Sequence, residues 1–110
     1  MDLTEFLAQI VERKASDGFR TVGSVPTYKV DGELMGTGET ALESDDVTAL
    51  IKASMSGDQF DHYLKSHDAN YAIEHSDLGR FRASAYVQRE QPGLVAVSYT
   101  HLRAHETPCH

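Results

Sequence analysis

Residues 79–88, Gly79-Arg80-Phe81-Arg82-Ala83-Ser84-Ala85-Tyr86-Val87-Gln88, decide how the chain folds. Successive side chains of a strand point to opposite faces, so this stretch sets Phe81, Ala83, Ala85 and Val87 on one side and Arg80, Arg82, Ser84, Tyr86 and Gln88 on the other. A strand apolar on one face and polar on the other belongs to a sheet buried on one side only, which is the habit of antiparallel sheets. Leu78-Gly79 is read as the turn that enters it and Gln91-Pro92-Gly93 as the turn that leaves it. A further apolar strand, Leu94-Val95-Ala96, follows, and Tyr71 and Ile73 mark a strand before it.

Working towards the amino end, Val47, Leu50, Ile51 and Met55 recur at helical spacing behind Ser44, which is read as a cap, with Asp45 and Asp46 in a favourably acidic first turn. Ser56-Gly57 ends that helix, and a third begins near Asp58 with Phe60, Tyr63 and Leu64 on one side. Gly36-Thr37-Gly38-Glu39-Thr40 is a surface loop. Before it, Asp31-Gly32 is a two-residue hairpin signal between Thr27–Val30 and Glu33-Leu34-Met35. Phe19 to Val22 is another short strand, divided from Thr27 by Gly23-Ser24-Val25-Pro26. Leu3, Phe6, Leu7, Ile10 and Val11 predict a first helix, with Asp2 and Glu5 as a capping-box-like start and Ser16-Asp17-Gly18 as its break. The sum is an α+β domain: an antiparallel sheet with helices packed against it, in a strand order the pattern leaves open.

Composition narrows the function. The chain has 110 residues, 40% of them hydrophobic and 25% charged, which suits one soluble domain with a modest core. Its net charge of −7, from 10 basic and 17 acidic residues, argues against nucleic-acid or anionic-lipid binding, which needs clustered Lys and Arg. Apolar runs fall far short of the roughly 20 residues of a membrane helix, and the amino end lacks the pattern of an export signal, so a cytoplasmic location is expected. Cys109 is the single cysteine, and no internal disulfide is expected.

Residues 97–107, VSYTHLRAHET, resemble one reading frame of the adapter that transposase-based sequencing libraries append to DNA fragments. On that reading the native domain is residues 1–96, incomplete at its carboxyl end, and residues 97–110 are a non-native tail. His101, His105, Cys109 and His110 would then imitate a metal site by accident, and no metal is expected. Asp58, Asp61, His62, His67 and Asp68 lack the paired spacing that selects a metal and are read as a hydrated acidic face. Glu74 and His75 are an acid/base pair by adjacency only, since strand neighbours point apart.

Three stretches carry a family resemblance: Ala15-Ser16-Asp17, the segment GSVPTYKVDG at residues 23–32, and GRFRASAY at residues 79–86. With Asp2-Leu3-Thr4-Glu5-Phe6-Leu7 they resemble the amino-terminal domain of PilT/PilU-type pilus retraction ATPases; Asn70-Tyr71-Ala72-Ile73 and Tyr86-Val87-Gln88-Arg89 lean towards PilU. Family members usually carry a Leu after Ser-Asp, where this chain has Gly18, and a double proline where it has only Pro26.

The resemblance implies a PAS-like domain leading into a RecA-like ATPase domain. It further implies a homo-hexamer of such subunits at an inner-membrane pilus platform, powering retraction and twitching motility with ATP and Mg. No Gly-x-x-x-x-Gly-Lys-Ser/Thr phosphate loop occurs in the chain, so no catalysis and no cofactor of its own are expected. The resemblance further implies that Arg80 and Arg82, and with them Arg89, approach the nucleotide phosphates from outside the main pocket; a guanidinium suits that role through charge-assisted, bidentate hydrogen bonds. Read without it, alternating arginines are a solvated or salt-bridged strand face. Two alternatives stay open: the corresponding domain of a pilus assembly or type II secretion ATPase, and a stand-alone PAS-like sensor or dimerisation module. A polar pocket inside the fold would favour the sensor, and a filled apolar core would oppose it.

Overall fold

The computed structural model describes residues 3–38 and 40–99. Asp2, Glu39 and residues 100–110, with His101, His105, Cys109 and His110, lie outside the described residues. Among the described residues, three helices, α1 (Leu3–Glu12), α2 (Ser44–Ala53) and α3 (Gly57–Ser66), accompany six strands. The strands are β1 (Asp17–Thr21), β2 (Thr27–Val30), β3 (Glu33–Gly36), β4 (Asp68–His75), β5 (Gly79–Gln88) and β6 (Gln91–Ser98). They form one sheet in the order β3-β2-β1-β6-β5-β4, with antiparallel pairing throughout. The predicted class, α+β with an antiparallel sheet and packed helices, is the observed one.

One face of the sheet is the core. The alternation read in β5 holds: Phe81, Ala83 and Ala85 are fully buried, and the register sets Ala83 against Ala96 and Ala85 against Leu94. Phe6, Leu7 and Ile10 of α1 and Val47, Leu50 and Ile51 of α2 close over that row. The expected stripes shed a member each: Val11 of α1 and Leu64 of α3 are exposed, so that α3 buries Tyr63 alone, whose hydroxyl donates to the Tyr86 carbonyl at 2.9 Å.

Several boundaries differ from the sequence reading. Ser16-Asp17-Gly18 does not separate helix from strand; α1 is stopped by Lys14 in the left-handed conformation (φ 57°), and β1 already starts at Asp17. The cap of α2 is Glu43, not Ser44: its backbone N–H donates to the Asp46 carboxylate at 3.1 Å, as in the returning half of a capping box. Ser56 and Gln59 form another box on α3. Gln91-Pro92-Gly93 is not a turn. Those residues open β6, and the reversal is made by Arg89 and Glu90, both with positive φ (54° and 66°). Positive φ at both central residues is the two-residue hairpin geometry, ordinarily signalled by Asn-Gly, and Arg-Glu hides it. Asp31 and Gly32 make the same turn with the expected residues. Pro92 is tolerated because the β1–β6 ladder stops at Thr21↔Gly93, one residue short of it.

The sequence left the place of the Leu94 strand in the sheet open. In the structure β6 is central, held by β1 as far as Val97 and by β5 as far as Ser98, and β3 and β4 are the edges. β6 is last in sequence yet one of the two middle strands, an arrangement that places the edges on hairpins formed earlier in the chain.

Gly93 lies directly opposite Tyr86, and the Tyr86 ring covers the place where a Gly93 side chain would start. The ring also brings its hydroxyl to 3.3 Å from the Thr21 hydroxyl, three strands being tied by one residue. Gly93→Ala is expected to displace the ring and lower stability by about 1 kcal/mol, as mild overpacking does. In a Tyr86→Ala background the same change should be neutral or stabilising. Urea unfolding of the four proteins of that cycle measures the coupling, and equal effects in both backgrounds would show that the ring does not need the glycine.

Candidate functional site

Among the described residues, no helix packs on the opposite face of the sheet. Register places Asp68, Asn70, Ala72 and Glu74 of β4, Arg80, Arg82, Ser84 and Tyr86 of β5, Gly93, Val95 and Val97 of β6, and Asp17, Phe19 and Thr21 of β1 on this side. Phe19, Val95 and Val97 are half-buried and adjacent, a band of apolar surface at the middle of a face otherwise polar. Arg80 and Arg82 stand beside it.

The two arginines lean apart. Arg80 reaches back over β4 to its cross-strand partner: its Nη2 and Nε donate to Glu74 Oε2 at 2.8 and 3.3 Å. The hydrogen bond and the charge of that carboxylate push the Arg80 guanidinium further above its ordinary pKa, so it stays charged at any physiological pH. Arg82 faces Ala72 on β4 and Val97 on β6, neither able to accept a hydrogen bond through its side chain. Its guanidinium leans the other way, with Nη1 3.4 Å from the Tyr99 hydroxyl. Arg89 is elsewhere. It lies seven steps along the chain from Arg82, roughly 23 Å at the rise of a β-strand, so one phosphate cannot meet both. The structure thus brings Arg80 and Arg82 onto one face and sets Arg89 at the far end of β5.

Reading residues in isolation missed two participants. Glu74 was visible only as a neighbour of His75; the signal was its separation of six residues from Arg80 across a tight turn, which becomes a contact once the hairpin register is known. His75 serves the turn, its Nδ1 accepting from the backbone N–H groups of Asp77 and Leu78 at 3.1 and 3.2 Å. Arg20 is the other. It is 2% exposed, donates to the Tyr28 hydroxyl at 2.6 Å and lies 4.3 Å from the Phe6 ring centroid, on the helix face. Phe19 takes the open side instead, the reverse of what hydrophobicity alone would assign to the pair. Arg20 is therefore a structural cation, whose buried guanidinium stacks between rings.

Asp58, His62 and Asp68 meet at the margin of α3 and β4, around an open cleft of about 470 Å³ that Tyr71 also lines. Among the described residues no group of three His, Cys, Asp or Glu side chains could hold a metal ion. Burial raises the Tyr71 pKa, with the Ser54 hydrogen bond opposing it, and Tyr71 is tied to Ser54 at 2.6 Å. No helix among the described residues is long and apolar enough to cross a membrane.

This architecture has solved counterparts. The pilus retraction motor PilT with bound ADP superposes with a TM-score of 0.81 at 23% identity, over 89% of this chain and 29% of that one. The Legionella pneumophila ATPase DotB gives 0.70 at 17% identity, over 86% and 28%. These likenesses define the fold as that of the amino-terminal domain of such motors. Among curated proteins, the type IV pilus ATPase PilU of Pseudomonas aeruginosa is 34% identical over 95 residues, 86% of this chain and 25% of the relative. The pilus retraction ATPase PilT of the same organism is 32% identical over 95 residues, 86% of this chain and 28% of its own length. No family model matches the chain. Over most of its length the chain is therefore similar to the PilU and PilT ATPases, with the fold of the PilT amino-terminal domain. It spans about a quarter of the length of the curated relatives it matches.

Proposed function

We propose that the chain is the interface and regulatory domain of a hexameric, PAS-like-domain-bearing ATPase that retracts type IV pili, and that its helix-free sheet face works against a RecA-like ATPase domain. The observation that carries this is the pairing on one face of a half-buried apolar band, Phe19, Val95 and Val97, with two arginines. A band of that kind is what another domain covers, and arginines at its border would reach a phosphate held on the other side. Arg80 and Arg82 are the phosphate contacts in this reading. ATP and Mg would sit on the ATPase domain, and this domain would do no chemistry alone. The assembly would be cytoplasmic, at an inner-membrane platform, with neighbouring subunits as its partners and no nucleic acid.

The sensor alternative has the core against it. Phe6, Leu7, Ile10, Ile51, Phe81 and Leu94 are wholly inaccessible and fill the space between helices and sheet. The cleft by Asp58 and His62 lies outside that core.

A long sequencing read of the source DNA across the codon for Ala96, from a library made without the adapter, tests the reading. The frame is expected to run on into a Gly-x-x-x-x-Gly-Lys-Ser/Thr loop. A stop, or the same tail again, would leave the stand-alone module as the better account.

A further inference from the structure

We propose that Glu74 is a positioning residue that divides the labour of the two strand arginines, holding Arg80 flat across β4 and leaving Arg82 as the guanidinium presented to an incoming phosphate oxygen. The proposal rests on the phosphate-contact reading above and adds a role for a residue outside it.

Residues i and i+2 of a strand lie about 7 Å apart on one face, so the two guanidiniums repel and, unaided, would present one diffuse positive patch. Glu74 breaks that symmetry. The β4–β5 register puts it squarely opposite Arg80, and a single carboxylate oxygen takes two donors of that arginine. Arg82 has Ala72 at the equivalent place on β4. The nearest acid on its other side is Asp17, beyond Val97 on β1, and Asp17 Oδ1 already accepts from the Ser16 hydroxyl at 2.6 Å. Among the described residues, the hydrogen-bond partner found for the Arg82 side chain is the Tyr99 hydroxyl, at the long distance of 3.4 Å, and Tyr99 belongs to the stretch read as a non-native tail. The consequence is directional. Arg80 is turned away towards β4 with its charge offset, while Arg82 stands over the apolar band beside Val97, where an apposed domain would exclude water and strengthen its charge.

The pair itself is exposed, with side-chain accessibilities of 59% and 67%, so removing it should leave the fold intact. That makes Glu74→Gln a clean test in the chain as it stands, with inorganic pyrophosphate as the probe and the arginine Nε–Hε resonances as the readout. In the parent sequence the Arg82 resonance should move on titration and the Arg80 resonance should move less than a quarter as far. In Glu74→Gln both should move together, and the apparent Kd should fall roughly two- to fivefold, the scale of an exposed pair. Glu74→Asp, with a shorter reach, should fall between. Tyr99→Phe should leave the Arg82 titration unchanged. Equal movement of both arginines in the parent sequence would overturn the division of labour. A silent Arg82 in every variant would overturn the phosphate-contact reading instead. Slowed hydrogen exchange at Arg80 Nε–Hε, lost in Glu74→Gln, supports the positioning role independently, and its absence in the parent sequence would sink it.

Discussion

Gly18→Leu is expected to destabilise the domain by more than about 3 kcal/mol, at or beyond the upper end of ordinary core overpacking. Gly18 sits on the helix face of β1, opposite Ala96 on one side and Tyr28 on the other. A Cβ built there would lie 2.8 Å from Ile10 Cδ1, Ile10 Cγ1 and Phe6 Cε1, all closer than real side chains approach. Both neighbours are fully buried, so neither has solvent to retreat into. The glycine thus lets α1 lie close on the sheet, with Phe6 and Ile10 filling the space above it. The check is a double-mutant cycle: Ile10→Ala alone opens a cavity and should lose about 2–5 kcal/mol, yet Gly18→Leu/Ile10→Ala should be more stable than the sum of the two losses predicts. Denaturant unfolding reads all four proteins. A Gly18→Leu variant that unfolds like the parent would mean that α1 rides loosely on the sheet, and strict additivity would mean that the two sites do not share a space.

The second large effect belongs to the whole motor that the proposed function describes. There, Arg82→Ala should lower kcat for ATP hydrolysis at least about a hundredfold while nucleotide affinity stays nearly constant, because a guanidinium that meets the phosphoryl group from outside the pocket acts on charge developed during transfer. Arg80→Ala should do less, its charge being offset by Glu74 at 2.8 Å. Arg82→Lys should recover little, since an ammonium cannot reproduce the planar fork. Steady-state hydrolysis with a separate nucleotide-binding measurement distinguishes the outcomes. Unchanged turnover in Arg82→Ala removes this arginine from the reaction, and a matched loss of affinity would make it a binding residue.

Period and turn chemistry in the sequence were enough for the elements themselves. The strict alternation of residues 79–88, the helical stripes of Phe6-Leu7-Ile10 and Val47-Leu50-Ile51, and the Asp31-Gly32 turn are each written in contiguous residues, and each appears in the structure as read. Local physics governs them, so local sequence reports them. The polar row of Arg80 and Arg82 was legible for the same reason. What the tertiary structure alone decided were the relations between distant segments. The last strand lies between β1 and β5, Arg-Glu makes a hairpin turn that its own propensities disfavour, and Phe19 faces outward while Arg20 turns in against Phe6 and Tyr28. The pairing of Glu74 with Arg80 needed the β4–β5 register, and the close seat of α1 needed Gly18 beneath Ile10. Each of these is settled by which surfaces meet across the sheet, and contact energy between residues far apart in sequence leaves no periodic trace in the chain that encodes it.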